Sequence, residues 1–361
     1  MCAPSCEPTR CRSSLPGYIL RIAAFTGGRT ISSARFRVRQ YIEELRQHDM
    51  DMVEFIAPLG SWPPANRAMR PAWALATLAS RLPAIAASYR YDLTFLQREM
   101  LSTFRTLEPL TKAPRVIDLD DAVWMSRESQ VRKLMDCVDG VVCGNVFIDD
   151  WASQWNIHRV IIPTAVDTDR WCPPPAQAVS AGTAPRPRII GWTGLYAGSK
   201  YLLSVEHALV RVLQQHPDVT LRVVSDRRPD FRFVPASRIE YIPWSPANEV
   251  STMQDMTVGI MPLHDTPWER GKCSYKMLLY MACGLPVVVS PVGMNREVLE
   301  LGDVGLAASD DDEWVDALNG LLDTPARARE MGTTGRQVIV EHFALRVLAI
   351  QLARYFRSFH G

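Results

Sequence analysis

The chain lacks the short motifs that mark several common nucleotide and metal chemistries. No G-x-x-x-x-G-K-[ST] occurs in its 361 residues; Gly271-Lys272 has neither the upstream glycine nor the following Ser or Thr of a phosphate-binding loop. No G-x-G-x-x-G follows the first expected strand, which disfavours a dinucleotide oxidoreductase. No H-E-x-x-H occurs, and the seven histidines are scattered, which disfavours a zinc hydrolase. The eight cysteines form no C-x-x-C pair. Cys2, Cys6 and Cys11 sit in a loose polar leader and the others mostly in apolar surroundings, so reduced thiols are expected rather than a disulfide scaffold or metal site. Neither sign of charge prevails: 40 basic side chains face 39 acidic ones, leaving +1 and no global field for nucleic acid. No apolar run approaches the ~20 residues of a membrane span, and the first residues lack the apolar core of a signal peptide.

What is present reads as α/β. With 47% hydrophobic residues the chain can fill two cores. Strands are expected at Tyr18 to Phe25, Met52 to Ala57, Leu93 to Leu96, Arg115 to Leu119, Gly140 to Cys143 and Val160 to Ile162, with helical patterns between them. A proline-rich stretch, Trp171 to Pro187, reads as a semi-rigid linker. A second series follows: Arg188 to Trp192, Thr220 to Ser225, Ile239 to Pro243, Val258 to Met261, Pro286 to Ser290 and Gly305 to Ala307, with helices including Ser199 to Gln215 and Asp311 to Leu322. Alternating strand and helix implies parallel, doubly wound sheets. The expected divisions are a disordered leader over 1–16, a first domain over 17–170, the linker over 171–187, a second domain over 188–343 and a final helical run over 344–361. Ala72 to Tyr89 is alanine-rich, interrupted by Arg81 and Pro83 and flanked by Arg67, Arg70 and Arg90. A buried helix is its first reading and a membrane-surface helix its second.

The most informative stretch is Trp268 to Val298. Ser274 can cap a helix whose body, Tyr275 to Cys283, is apolar almost all round; Gly284 and Pro286 end it, and Val287 to Val289 suits a strand covered on both faces. Arg270, Lys272 and Lys276 crowd the start of this helix, where the macrodipole disfavours cations by ~0.3–1 kcal/mol each. Lys272 and Lys276 are also spaced i,i+4, which brings like charges together. An anion held by these ammoniums and the backbone N–H groups near Ser274 and Tyr275 would reverse that cost, so a phosphate site is expected at the carboxyl edge of a sheet.

Gly271 to Val288 resembles the donor-binding signature of the retaining family 4 glycosyltransferases, in the form G-K-C-x-x-K-x-L-x-Y-M-A-x-G-x-P-V-V. The resemblance implies a GT-B fold, two facing Rossmann-like domains joined by a hinge with the C-terminal helix returning to the first. It implies transfer from a nucleoside-diphosphate sugar to an acceptor hydroxyl without a metal or other cofactor. Lys200, in Gly191-Trp192-Thr193-Gly194 … Lys200-Tyr201, fits the family's phosphate-binding lysine; Trp192 stands where arginine is usual, and Trp244 where the family positions the nucleobase. Gly27 and Gly28 match the glycine-rich loop beside the donor phosphates, with Arg35 and Arg37 near the same edge, facing an anionic acceptor or solvent. The family's two glutamates eight residues apart are absent: their slots hold Gly271 and Leu279, with Glu269 and Glu297 as candidate replacements.

Asp118-Leu119-Asp120-Asp121 follows a strand of the first domain and matches the family's acceptor-lobe segment. Asp120 or Asp121 is expected to orient the acceptor hydroxyl or take its proton, with Lys272 neutralising the leaving group; helix capping is the plain alternative. The expected acceptor is a glycan, a lipid-linked molecule or a small molecule, in glycoconjugate or surface-polysaccharide synthesis. The expected setting is cytoplasmic, with the inner membrane face a second possibility. A GT-B epimerase or hydrolase, and a non-catalytic nucleotide-sugar binder, are the rival readings.

Overall fold

The computed structural model describes residues 18–60, 63–101, 107–156, 158–175 and 188–360. The leader, with Cys2, Cys6 and Cys11, and the linker from 176 to 187 lie outside them. The first sheet is wholly parallel: β1 (Leu20–Thr26), β2 (Met50–Ile56), β3 (Leu93–Gln97), β4 (Arg115–Leu119), β5 (Gly140–Cys143) and β6 (Arg159–Ile161), in the order β2-β1-β3-β4-β5-β6. The second is also parallel: β7 (Arg188–Thr193), β8 (Val219–Ser225), β9 (Ile239–Pro243), β10 (Val258–Met261), β11 (Val287–Val289) and β12 (Gly305–Ala307), ordered β12-β11-β10-β7-β8-β9. Each sheet is apolar on both faces because helices cover both, hence runs such as Ile189-Ile190 and Val287 to Val289 without alternation. Both strand orders contain a switch point, the place where such sheets bind ligands beyond their carboxyl ends. This is the two-lobed GT-B architecture.

Several local expectations are corrected. Trp171 is not linker: it is buried in the second lobe's core beside Ile189 and Met281. Ser199 to Gln215 is two helices, Ser199–Ser204 and Glu206–Gln215, with the non-helical Val205 between them. Arg81 and Pro83 do not interrupt their helix, which runs from Arg70 to Ser88. Arg81 instead anchors it, donating from Nη1 to the Phe55 carbonyl at 3.1 Å and from Nη2 to that of Thr26 at 2.8 Å, and its burial pushes its pKa down to about 10. Nor is this helix enclosed. Its outward stripe holds Ala72, Leu75, Ala79, Leu82, Ala86 and Tyr89, all exposed and none charged.

The last helix, Leu345–Arg357, packs Leu348, Leu352 and Phe356 against Leu20, Ile22 and Phe95 of the first sheet. The chain therefore crosses between lobes twice. The two crossings lie side by side, with the Val166 N–H donating to the Phe343 carbonyl and the Leu345 N–H to that of Val166, each at 2.8 Å.

Candidate functional site

The carboxyl edges of the two sheets face each other across a cleft of about 610 Å³. Ser32, Ser33, Arg98, Asp120 and Asp121 line it from the first lobe, and Lys200, Tyr201, Lys272, Ser274, Tyr275 and Lys276 from the second. The lobes touch beside it. Gly271 lies so close to Ala122 that a Cβ on it would stand 2.4 Å from that of Ala122. Asn145 Nδ2 donates to the Lys272 carbonyl at 3.0 Å, the Cys273 thiol donates to the Asp120 carbonyl, and the Phe36 and Tyr275 rings meet at 4.3 Å.

On the second-lobe wall the helix Tyr275–Ala282 begins at Ser274, whose φ of 49° is left-handed and whose side chain makes no capping bond. Ser274 is thus at the N-cap position without capping, and the first-turn N–H groups, which no helix satisfies internally, point at the cleft end. Lys276 Nζ lies 5.1 Å from the Trp192 ring and beside Gly194, where a Cβ would come within 2.9 Å of it. Neither Lys276 nor Lys272 has a carboxylate within ion-pair distance among the described residues. Burial, aided by Lys272, lowers the Lys276 pKa to about 8. Lys272 Nζ stands 5.4 Å from the Trp268 ring, and Lys200 Nζ, 59% exposed, stands 3.9 Å from Glu269.

The first-lobe wall is built on arginine. Arg37 is buried and donates to both oxygens of Asp118, from Nη2 at 2.6 Å, and to the Ile162 carbonyl at 2.9 Å. It is shut off from bulk solvent, yet it still contributes to the cleft lining alongside Ser33 and Phe36. Arg35 pairs with Glu249 of the second lobe, which also accepts from Arg170 at 2.7 Å. Arg98 holds both site carboxylates, with Nε to Asp120 Oδ1 at 2.5 Å and Nη2 to Asp121 Oδ2 at 2.6 Å, from a left-handed backbone of φ 60°. Such a conformation is uncommon in a non-glycine residue and collects at functional sites. Burial works against the Arg98 charge, but Asp120 and Asp121 more than offset it and raise its pKa; burial also raises the Asp121 carboxyl, against the pull of Arg98.

The sequence had not marked Arg98. It follows the β3 strand directly, at the same edge as the Asp120 loop, and that position is the one signal it gave.

The remaining expected residues fall in three places. Gly27 lines a smaller side cavity and Gly28 is buried next to it in sequence. Trp192 is buried in the core beneath Lys276 and is not a cleft wall, because β7 is covered on both faces. Trp244, 42% exposed, and Glu297, also exposed, lie outside the cleft lining. Glu269 is 3% exposed, with its oxygens accepting from the hydroxyls of Tyr201 and Thr266, which keep its pKa low despite burial. Arg270 turns away to Asp265 at 2.7 Å.

A comparison with family models decides the character of the second wall: residues 187–324 match the group 1 glycosyl transferases. That span, less than half of the chain, is similar to a group 1 glycosyltransferase domain. Solved glycosyltransferase structures share the whole two-lobed fold. A sucrose-phosphate synthase from Thermosynechococcus elongatus is 17% identical, with 94% of this chain and 98% of that one covered at a TM-score of 0.68. HepE from Anabaena in complex with UDP and glucose is 14% identical over 94% and 100% of the chains, with a TM-score of 0.65. An α,α-trehalose 6-phosphate synthase from Burkholderia multivorans is 14% identical over 94% and 98%, with a TM-score of 0.64. At these identities the likeness is one of fold. No curated protein sequence matches. The basic turn and glycine loop of the site, Lys272, Lys276 and Gly191 to Gly194, all lie within the matched glycosyltransferase domain.

Proposed function

We propose that this protein moves a glycosyl group from a nucleoside-diphosphate sugar to an acceptor hydroxyl, with retention and without a metal ion or other cofactor. The observation that carries the reading is the pair of ammoniums, Lys272 and Lys276, held without carboxylate partners among the described residues at a helix start opposite two carboxylates. The diphosphate sits on these ammoniums and the adjoining N–H groups, with Lys200 at the rim. In transfer, the acceptor oxygen bonds to the sugar's anomeric carbon. The bond from that carbon to the diphosphate breaks, and its electron pair leaves on the phosphate, where fixed positive charge meets it. Asp121, 33% exposed against 12% for Asp120, is the better placed to take the hydroxyl proton; Asp120 and Arg98 position it. The ammoniums supply the neutralisation that a divalent cation would otherwise give, and Arg98 already occupies the two aspartates. The UDP in HepE supports a nucleoside diphosphate as leaving group, and the expectation of retention rests on the resemblance of Gly271 to Val288 to the retaining family.

The apolar stripe of the helix Arg70–Ser88, with exposed Arg67, Arg70 and Arg90 at its ends, favours peripheral contact with an anionic membrane face and hence synthesis of a glycolipid or surface glycan. No helix among the described residues is long and apolar enough to cross a membrane. Calorimetry with UDP, GDP and ADP tests the central claim: Lys272→Ala and Lys276→Ala each weaken nucleoside-diphosphate binding tenfold or more with the fold intact. Unchanged affinity in both variants removes the phosphate site.

A further inference from the structure

Beside the main cleft, and sharing Ile31, Ser33, Arg98 and Trp268 with it, is the side cavity of about 170 Å³. One wall is the end of β3, where Gln97 closes the strand and Glu99 follows Arg98. Two polar atoms of this wall have no hydrogen-bond partner among the described residues: Gln97 Nε2, on a side chain only 4% exposed, and Glu99 Oε2. A buried polar atom left unpaired costs ~1–3 kcal/mol. A chain that keeps an unpaired donor and an unpaired acceptor on one cavity has a use for both.

The charges around this cavity exclude an anion as that use. Arg98 is committed to Asp120 and Asp121, and Arg127 to the other oxygen of Glu99. Among the described residues that line the cavity, two guanidiniums against three carboxylates leave one negative charge and no uncommitted cation for a phosphate. Burial also raises the Glu99 carboxyl pKa, as expected of a carboxylate short of donors. The rest of the lining is Gly27, Ser33 and Ser126 with the apolar Ile31, Val123 and Trp268, and an indole is a surface on which the C–H side of a sugar ring can lie.

We propose that this cavity is the acceptor's seat and takes a non-ionic, hydroxyl-bearing ring, an unphosphorylated sugar or glycan end. Gln97 Nε2 donates to one of its oxygens and Glu99 Oε2 accepts from one of its hydroxyls. The ring then presents a further hydroxyl towards Asp121 over the shared Arg98. This rests on the glycosyl-transfer reading and narrows its acceptor from several classes to one; Gln97 and Glu99 become specificity-determining residues that lie outside the phosphate site.

Saturation-transfer NMR on the full chain with saturating UDP tests it, with glucose, galactose and mannose and their 6-phosphates as probes. At least one neutral sugar gives a signal that its phosphate does not. Gln97→Leu and Glu99→Gln each weaken that binding at least tenfold, while UDP affinity by calorimetry stays within twofold of the parent. Glu99→Gln keeps the side chain's shape; should it fail to fold, Gln97→Leu carries the comparison alone. Phosphates binding as well as the neutral sugars, no sugar signal in the parent, or full signals in both variants would each overturn the proposal. Absence of UDP binding would instead sink the transfer reading, and the sugar signals, measured without UDP, would still judge the cavity.

Discussion

Arg35 of the first lobe and Glu249 of the second form a two-point ion pair across the interlobe boundary, with Nη1 donating to Oε2 at 3.1 Å. Glu249 is buried and shared with Arg170, so the pair fastens one lobe to the other close to the crossing of the chain. Arg35→Ala leaves Glu249 still paired with Arg170 and so keeps the second lobe folded. It loosens closure: transfer falls about tenfold in kcat/KM, near 1.4 kcal/mol, and small-angle scattering shows a larger radius of gyration. An unchanged radius and rate would show that the pair does not govern closure.

Lys276 sets a pH dependence. Its folded pKa, about 8, lies below the ordinary value of 10.5, so between those limits the unfolded chain binds the extra proton. Unfolding free energy of the ligand-free protein therefore rises with pH across that window, relative to Lys276→Met. Diphosphate binding restores the charge. Affinity falls as pH climbs above about 8, and calorimetry at pH 9 in buffers of different ionisation enthalpy records proton uptake on binding. Equal heats in all buffers would contradict the assignment.

Arg98 can be separated into backbone and side-chain roles. Arg98→Ala and Arg98→Gly both free Asp120 and Asp121, and transfer falls roughly a hundredfold, the lower range of a general acid–base contribution, with diphosphate affinity retained. The left-handed φ of 60° suits glycine, so the glycine variant is more stable than the alanine one by about 1 kcal/mol in urea unfolding. Equal stabilities would mean that the backbone relaxes once the guanidinium is gone.

The exposed stripe on the helix Arg70–Ser88 makes a separate claim. Leu75→Glu with Leu82→Glu abolishes co-sedimentation with vesicles of anionic phospholipid, while melting temperature and UDP affinity stay as in the parent, since both side chains already stand in solvent. Vesicle binding that survives the double change would assign the stripe to something other than lipid.

The two sheets were legible because length and composition decide them locally: short, unalternated, β-branched runs such as Val287 to Val289 or Gly140 to Cys143 suit covered strands. The basic helix start was legible for the same reason, because three cations at one helix N-terminus conflict with its dipole within a few residues of sequence. What the sequence hid depends on pairs far apart in the chain. Nothing in the sequence pairs Arg37 with Asp118, or Arg98 with Asp120 and Asp121; only folding shows that each guanidinium is consumed. That Trp192 is buried was not legible, because a buried indole and a ligand-facing one leave the same trace in sequence. The partners of Glu269 were hidden likewise, since one of its two hydroxyl donors is the distant Tyr201 and the other Thr266.

The doubled passage at Val166 and Phe343 to Leu345 means that neither lobe is a continuous piece of chain. A cut between residues 175 and 188 would deprive the amino-terminal fragment of the helix that covers Leu20, Ile22 and Phe95, and leave the other fragment carrying an orphaned greasy cylinder. Expressed apart, both halves should be insoluble; mixed during refolding, they should recover only as a pair.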